Sequence, residues 1–265
     1  MTSRFSPEGG AILVTPKPSR SASAKGRNVN RNAILRAGLR LSTDTALQEL
    51  SIVSVAKALK IAPALIHYHI GGRDWMTSGI MNLFYKGVLK KWPDAKGIWE
   101  ADLIEAATLI YDEFCTHAGI AAYAVANSRF RIFQLTAFGD RDYGVEMLER
   151  LTGLVRASGL SGERTGVYAN QLFGLIVGAA NDVTTSILPA AQEAFHREKC
   201  SQLEMSRYPN LDFAQRIPVR LGDVHTFDEG CKLILHGIRS ECGGVTMPDL
   251  GRARLACGGT GPDED

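Results

Sequence analysis

The stretch from Leu59 to Trp75 leaves little room for anything but a tight turn, a short helix and the start of a longer one. Pro63 is well tolerated at a helix start, where its missing N–H would have had no intrahelical partner. Ile66 and Ile70 are four apart and can anchor one side of the short helix. Ala64, Leu65, His67 and Tyr68 are then left facing outward. Gly71 and Gly72 stop the helix, and Arg73 opens the next. Upstream, Ser51 suits an N-cap, because its hydroxyl can accept from the free amides of a first turn. Val55, Ala56 and Leu59 recur at helical spacing, and Lys60 and Ile61 make the turn. Ile34, Ala37, Gly38 and Leu41 form the stripe of a helix before these. Two short helices across a tight turn, the second carrying hydrogen-bonding rings, suit a helix that lies in a DNA groove while its neighbours hold phosphates.

On these residues the segment resembles the N-terminal domain of the tetracycline-repressor (TetR) family of bacterial transcription regulators. The family pattern is a Leu-Ser/Thr pair, a Val/Leu-Ala pair, a Leu-Gly-Val turn, a Thr-Leu-Tyr-x-His/Tyr-Phe helix, then a Lys past a short turn. Here Leu50-Ser51, Val55-Ala56, Leu59-Lys60-Ile61, Leu65 to Ile70 and Arg73 stand in register, without a gap from Leu50 to Met76. Lys60 stands where the family has Gly, so the turn is expected to do without a left-handed residue there. His67 stands where the family has Tyr. The resemblance implies DNA contacts from Arg31, Ser51, Val53, Pro63, Ala64, Leu65, His67, Tyr68, His69 and Arg73, with Arg73 on a phosphate. It also implies an all-α fold: a three-helix, helix-turn-helix DNA-binding domain joined to a larger helical domain for ligand binding and dimerisation. The second short helix has few side chains able to make bidentate base contacts.

Charge supports a polyanion-binding head. The net charge of +2 hides a division: residues 1–91 hold 14 Lys/Arg and 4 Asp/Glu, the remainder 16 and 24, out of totals of 30 and 28. A basic third on an acidic body is what a polyanion-binding module joined to a non-binding one shows. Residues 1–28 carry three prolines, several Ser and Gly, and Arg4, Lys17, Arg20, Lys25 and Arg27. Such a segment buries little apolar area and is expected to be a disordered basic arm. Arg27 and its neighbours could enter a minor groove, or the arm could be a solvated tail.

The expected division is an arm over 1–28, a DNA-binding domain over 29–75, a helical body over 76–240 and a disordered tail over 241–265. A long helix from Arg73 to Lys91, with Met76, Ile80, Leu83, Phe84, Gly87 and Val88 buried, would link head and body. Leu103, Ala107, Ile110, Tyr111 and Phe114 form a further stripe. Tyr123 to Phe138 reads as one apolar segment of the helical body, Met147 to Val155 as another helix closed by Gly159, and 163–188 as a longer one. A last helix should open on Thr226 and Glu229 as a capping box, with Phe227, Cys231, Ile234 and Ile238 at helical spacing. Small residues at Gly174 and Gly178, together with Phe227 and Ile234, are the expected dimer face. Two helices from each subunit forming a four-helix bundle is what the family resemblance implies. Tyr111, His117, Tyr123, Phe130, Phe133 and Phe173 are the candidates for binding a small hydrophobic or aromatic effector.

Other classes find weaker support. Five scattered cysteines without a Cys-x-x-Cys fit free thiols in a reducing cytoplasm. His196 and Cys200 are four apart, but two ligands do not make a metal site, so neither a metal nor a cofactor is expected. No apolar run approaches a membrane span. A helical enzyme would have to rest on His117 with Asp112 or Glu113, as no nucleophile elbow, phosphate loop or dinucleotide motif occurs. A ligand-independent architectural DNA-binding protein is the stronger alternative. The expected partners are a double-stranded DNA operator, a small-molecule effector and a second copy of the chain.

Overall fold

A computed structural model describes residues 29–127, 132–137, 139–185, 198–199, 201–213 and 224–243. Arg27, Phe130, His196, Cys200, the basic arm and the tail from 244 lie outside the described residues. Among the described residues, all regular structure is helical: α1 (Arg31–Leu41), α2 (Ile52–Leu59), α3 (Pro63–Ile70), α4 (Arg73–Lys90), α5 (Trp99–Thr116), α6 (Ala118–Ala126), α7 (Tyr143–Arg156), α8 (Gly162–Thr185), the short α9 (Pro209–Phe213) and α10 (Val224–Cys242), with a 3-10 turn at Met205–Arg207.

The head is built from α1 to α3 on the first turns of α4. Asn30 caps α1, its side-chain oxygen accepting from the Ala33 amide at 2.9 Å. Glycines set how closely α1 lies on α4. A Cβ on Gly38 would come 2.4 Å from Cδ1 of Ile80, and one on Gly79 2.7 Å from Cδ2 of Leu35. Each glycine therefore makes room for a branched side chain of the other helix. From Met76 to Met81, α4 is buried on every side, unlike an amphipathic surface helix. It meets α1 on one side and α7 on the other. The expected boundary between residues 75 and 76 thus runs inside α4. Leu83 and Gly87 are only half-buried, and Tyr85 takes the buried place beside Gly144 of α7.

In the body, α8 is the central element and packs on α5, α6, α7 and α10. The α5 stripe is buried as its spacing predicts. Phe84, Phe114 and Phe173 join α4, α5 and α8, with centroids 4.8 and 6.2 Å apart along the chain of rings. Gly230 and Gly237 of α10 lie against Leu175 and Tyr168 of α8, where a side chain would collide. Buried apolar residues form one continuous cluster from α1 to α10.

Three expectations are corrected. Tyr123 to Phe138 is not a single helical segment: α6 covers only Ala118–Ala126, and residues 132–137 are not helical. There the Gln134 amide donates to Asp142 at 2.9 Å, and the Ile132 carbonyl sits against Gly144. Thr226 does not cap the last helix, because α10 already includes Val224 and His225. The body does not end at 240. Glu241 lies in α10, accepts from the Tyr168 hydroxyl at 2.8 Å and pairs with Arg164. That pairing holds the Glu241 carboxyl below the usual carboxylate range.

A second link joins head and body besides α4. The Gly119 amide donates to the Ser42 carbonyl at 2.9 Å, and the Leu47 amide donates to the Gly119 carbonyl at 3.1 Å. Here the first turn of α6 is tied backbone to backbone to the α1–α2 loop.

Burial also separates the thiols. Cys231 is buried on α10 and its pKa is pushed up to about 11, chiefly by desolvation, whereas Cys242 is exposed. Because the thiolate is the nucleophile, native protein at neutral pH should be alkylated by iodoacetamide at Cys242 and spared at Cys231. Peptide mass mapping after a short labelling pulse reads this. Equal labelling of the two would mean that α10 is not packed as described.

Candidate nucleic-acid interface

The site begins with how two short helices are held at a fixed angle. Ser51 and Ser54 form a reciprocal cap on α2: the Ser51 hydroxyl accepts from the Ser54 amide at 3.0 Å, and the Ser54 hydroxyl accepts from the Ser51 amide at 2.9 Å. At the other end, the Ile61 amide donates to the Ala56 carbonyl at 3.0 Å and the Lys60 amide to the Lys57 carbonyl at 3.1 Å. This pair of bonds is a Schellman closure, which places its C′ residue in the left-handed region. Lys60 takes that conformation, with φ 57° and ψ 45°. The expectation that this turn avoids a left-handed residue is therefore wrong; the closure geometry overrides the residue type. Among the described residues Lys60 is the one non-glycine at positive φ. A left-handed residue with a Cβ is strained by roughly 1–2 kcal/mol, part of which glycine returns as chain entropy. Lys60→Gly should stabilise the fold by about 1 kcal/mol, visible as a higher urea midpoint at unchanged slope. A loss of stability would show that Lys60 makes contacts worth more than its strain.

Pro63 starts α3 at its first position, and Ile66 and Ile70 are buried. The opposite face is open: Pro63, Ala64 and His67 are exposed, as are Leu65 at 42% and Tyr68 at 54%. His69 is half-buried with its ring edge-on to Tyr68, centroids 5.1 Å apart. Gly71, at φ 101°, ends the helix. Ser51 and Val53 are exposed at the start of α2, Val53 at 63%. Arg73 is exposed at the start of α4 and donates to the Gln48 carbonyl, so its guanidinium is steadied against the α1–α2 loop. Of the expected contacts, Ser51, Val53, Pro63, Ala64, Leu65, His67, Tyr68 and Arg73 are thus exposed on α2, α3 and the start of α4. Arg31 instead lies 3.9 Å from Asp140, in the connection before α7. Lys57 and Lys60 are also exposed beside the turn, and neither is among the contacts expected from the sequence. Their basic character and their place next to the turn were the available signal.

No family model and no curated protein sequence matches the chain. Solved structures do. ActR from Streptomyces coelicolor, in its apo form, superposes with a TM-score of 0.65 at 21% identity, over 82% of this chain and 98% of that one. ActR, described as a TetR family protein, in complex with actinorhodin gives 0.65 and 21%, over 82% and 100%. BioQ from Mycobacterium smegmatis gives 0.55 and 14%, over 80% and 99%. The chain has the TetR-family fold.

Within that TetR fold, the described residues among the expected effector contacts do not gather around one space. Phe173 is core. His117 is half-buried, edge-on to Phe84 with centroids 5.5 Å apart, and has a ring nitrogen 3.1 Å from the Glu113 carbonyl. Phe133 is 64% exposed and turned to solvent, contrary to expectation, because its segment is not helical. Tyr111 is the most telling of the set. It is 7% exposed and stacks on Phe227 of α10, with centroids 4.2 Å apart and planes 10° apart. Its buried hydroxyl has Cys115 as a polar neighbour but, among the described residues, no partner at hydrogen-bond geometry. Burial, chiefly, pushes its pKa up. Tyr123 faces a separate cleft toward the head, lined also by Arg73, Asp74, Thr77 and Ser78.

Of the expected dimer face, Gly174 and Gly178 are half-exposed, with open space where a Cβ would point. Ile234 is half-buried and Leu233, beside it, is 72% exposed. Phe227 is buried inside the protomer against Tyr111 and so leaves that face. Among the described residues no helix is long and apolar enough to cross a membrane.

Proposed function

We propose that this protein is a ligand-responsive, DNA-binding transcription regulator of the TetR family. It acts in the cytoplasm as a homodimeric repressor and leaves a palindromic operator when a small hydrophobic effector binds. The observation that carries the reading is α3. It is anchored by Ile66 and Ile70, presents Leu65, His67 and Tyr68 to solvent, and is flanked by the exposed bases Lys57, Lys60 and Arg73. Bases that hold phosphates fix orientation, and side chains at base edges supply sequence preference. A structure of BioQ with its double-stranded operator and one of ActR with actinorhodin are among the fold's neighbours, and they support the DNA and effector parts. Residues 29–75 form the DNA-binding unit in this reading, and the rest of the described chain the regulatory body.

Two such heads must be held about one helical turn of DNA apart. The face carrying Gly174, Gly178, Leu233 and Ile234 is the proposed contact with the second copy. Among the described residues, nothing lies within 4 Å of a Cβ placed at Gly178. Gly178→Leu should therefore fold normally but overpack the dimer, at a cost of about 1–3 kcal/mol. Sedimentation velocity should show a shift toward monomer, with DNA affinity falling in parallel. An unchanged dimer would place the interface elsewhere.

The effector is proposed to reach the interior at Tyr111. A buried hydroxyl without a partner costs about 1–3 kcal/mol, so a ligand that accepts from it and lies on the Tyr111–Phe227 stack would be favoured there. Such a ligand shifts DNA binding only by its differential affinity for the two states of the body. The test of the whole reading is selection of binding sites from random DNA by the full chain. One enriched palindrome supports it. Diffuse enrichment favours the architectural alternative, and no enrichment removes the DNA reading.

A further inference from the structure

The second link between head and body has a shape of its own. Gly119 and Tyr123 are four apart along α6, so they share one side, and Asn127 follows as the C-cap, its backbone amide donating to the Tyr123 carbonyl at 2.9 Å. At the Gly119 end the head touches α6 backbone to backbone. One to two turns further on, the two part into a cleft of about 210 Å³. One wall is the start of α4, with Arg73, Asp74, Thr77 and Ser78; the other carries Tyr123 and Asn127. None of these side chains is aliphatic apart from their stems. Thr77 and Ser78 are buried, Ser78 to 2% exposure, so the α4 wall carries hydroxyl groups at depth.

Charge in the cleft is paired by sequence but not by contact. Arg73 and Asp74 put opposite charges side by side at its rim, and among the described residues neither takes part in an ion pair. Both act on the Tyr123 phenol, which burial raises most, Asp74 raising it further and Arg73 opposing. The contact with the Gln48 carbonyl engages one guanidinium nitrogen of Arg73, which leaves other donors of a five-donor fork.

We propose that this cleft binds a small zwitterion, an α-amino acid or a close relative, with its carboxylate on Arg73 and its ammonium on Asp74. The remainder of the molecule lies against the hydroxyls of Thr77, Ser78 and Tyr123. An occupant bridges α4 and α6, both of which tie head to body. On the reading of Arg73 as a phosphate contact, which rests on the proposed function, the occupant also draws that guanidinium away from DNA. The site is distinct from the apolar interior around Tyr111 and takes the opposite ligand chemistry.

The probe is the set of common L-amino acids, titrated singly at millimolar concentration into the full chain by calorimetry, without DNA. At least one should bind at one per protomer, and its deaminated and decarboxylated analogues should each bind about tenfold more weakly or worse. Asp74→Asn, on an exposed side chain, should weaken the amino acid by about tenfold and leave the deaminated analogue unchanged. Added to a complex with selected DNA, the same amino acid should lower affinity in the parent and not in Asp74→Asn. Failure of every amino acid to bind overturns the proposal, as does binding that ignores Asp74→Asn. Amino-acid binding in a protein that selects no DNA would keep the site and remove only the regulatory reading.

Discussion

Gly119→Val should be among the most damaging single substitutions in the protein, costing about 3 kcal/mol. A Cβ there would stand 2.0 Å from the Thr45 carbonyl oxygen and 2.8 Å from that of Ser42. Both are backbone atoms of the α1–α2 loop, so no side chain can rotate out of the way. The strain can be relieved only by parting α6 from the head, which also breaks the hydrogen bonds to Ser42 and from Leu47. Gly38→Ala is a useful contrast, because its closest neighbour is the end of the Ile80 side chain, which can shift. Gly153→Ala is the control: it lies in α7, is exposed, and among the described residues nothing lies within 4 Å of its added carbon. It should stabilise by up to about 1 kcal/mol through helix propensity. Urea unfolding orders the three variants. If Gly119→Val unfolds within a few tenths of a kcal/mol of its parent, the backbone link between α6 and the head does not exist in solution. If it folds but loses DNA affinity beyond its loss of stability, the link also sets the orientation of the head.

The elements that were legible in the sequence share a property. α1, α2, α3, α5 and α7 each bury one side and expose another, so their apolar residues recur at helical spacing. α6 lacks that contrast. Its Gly, Ala, Ile and Tyr residues are buried on most sides against α8 and the head, and an apolar helix without a polar side has no period to read. Tyr123 to Phe138 consequently looked like one segment, although the chain leaves the helix at Asn127. Gly119 was invisible for a different reason: its role depends on a contact with Ser42 and Thr45, far away in sequence. Spacing also failed to separate Phe227 from Ile234. They lie on one stripe of α10, and only the packed structure shows Phe227 stacked inward on Tyr111. The candidate DNA site was more legible because it is local. Ser51, Pro63, Ile66, Ile70 and Gly71 each act within a few residues of themselves. Lys60 is the exception within that site, since its left-handed backbone comes from the Schellman closure and not from its side chain.

On the reading that α3 enters a DNA groove, Tyr68→Ala and Arg73→Ala should fail in different ways. Tyr68 is 54% exposed on the outer face of α3, opposite the buried Ile66 and Ile70. There it can offer a ring to a thymine methyl and a hydroxyl to a base edge. Its truncation should cost about 1–3 kcal/mol on the selected operator, roughly fivefold to 150-fold, and little on random DNA. Arg73 stands past the end of α3, steadied by the Gln48 carbonyl, where a phosphate contact carries no sequence information. Arg73→Ala should weaken operator and random DNA by similar factors and flatten the salt dependence by about one unit. Arg73→Lys should restore the salt slope, since it keeps the charge, but not the full affinity, since an ammonium cannot hold the carbonyl and a phosphate in one planar fork. Fluorescence anisotropy across a salt series, on both DNAs and with all three variants, measures each term. A selective operator loss in Arg73→Ala would make Arg73 a base contact. An equal loss on both DNAs in Tyr68→Ala would move sequence preference from α3 to the shape of the DNA, as a helix without Arg, Asn or Gln on its outer face allows.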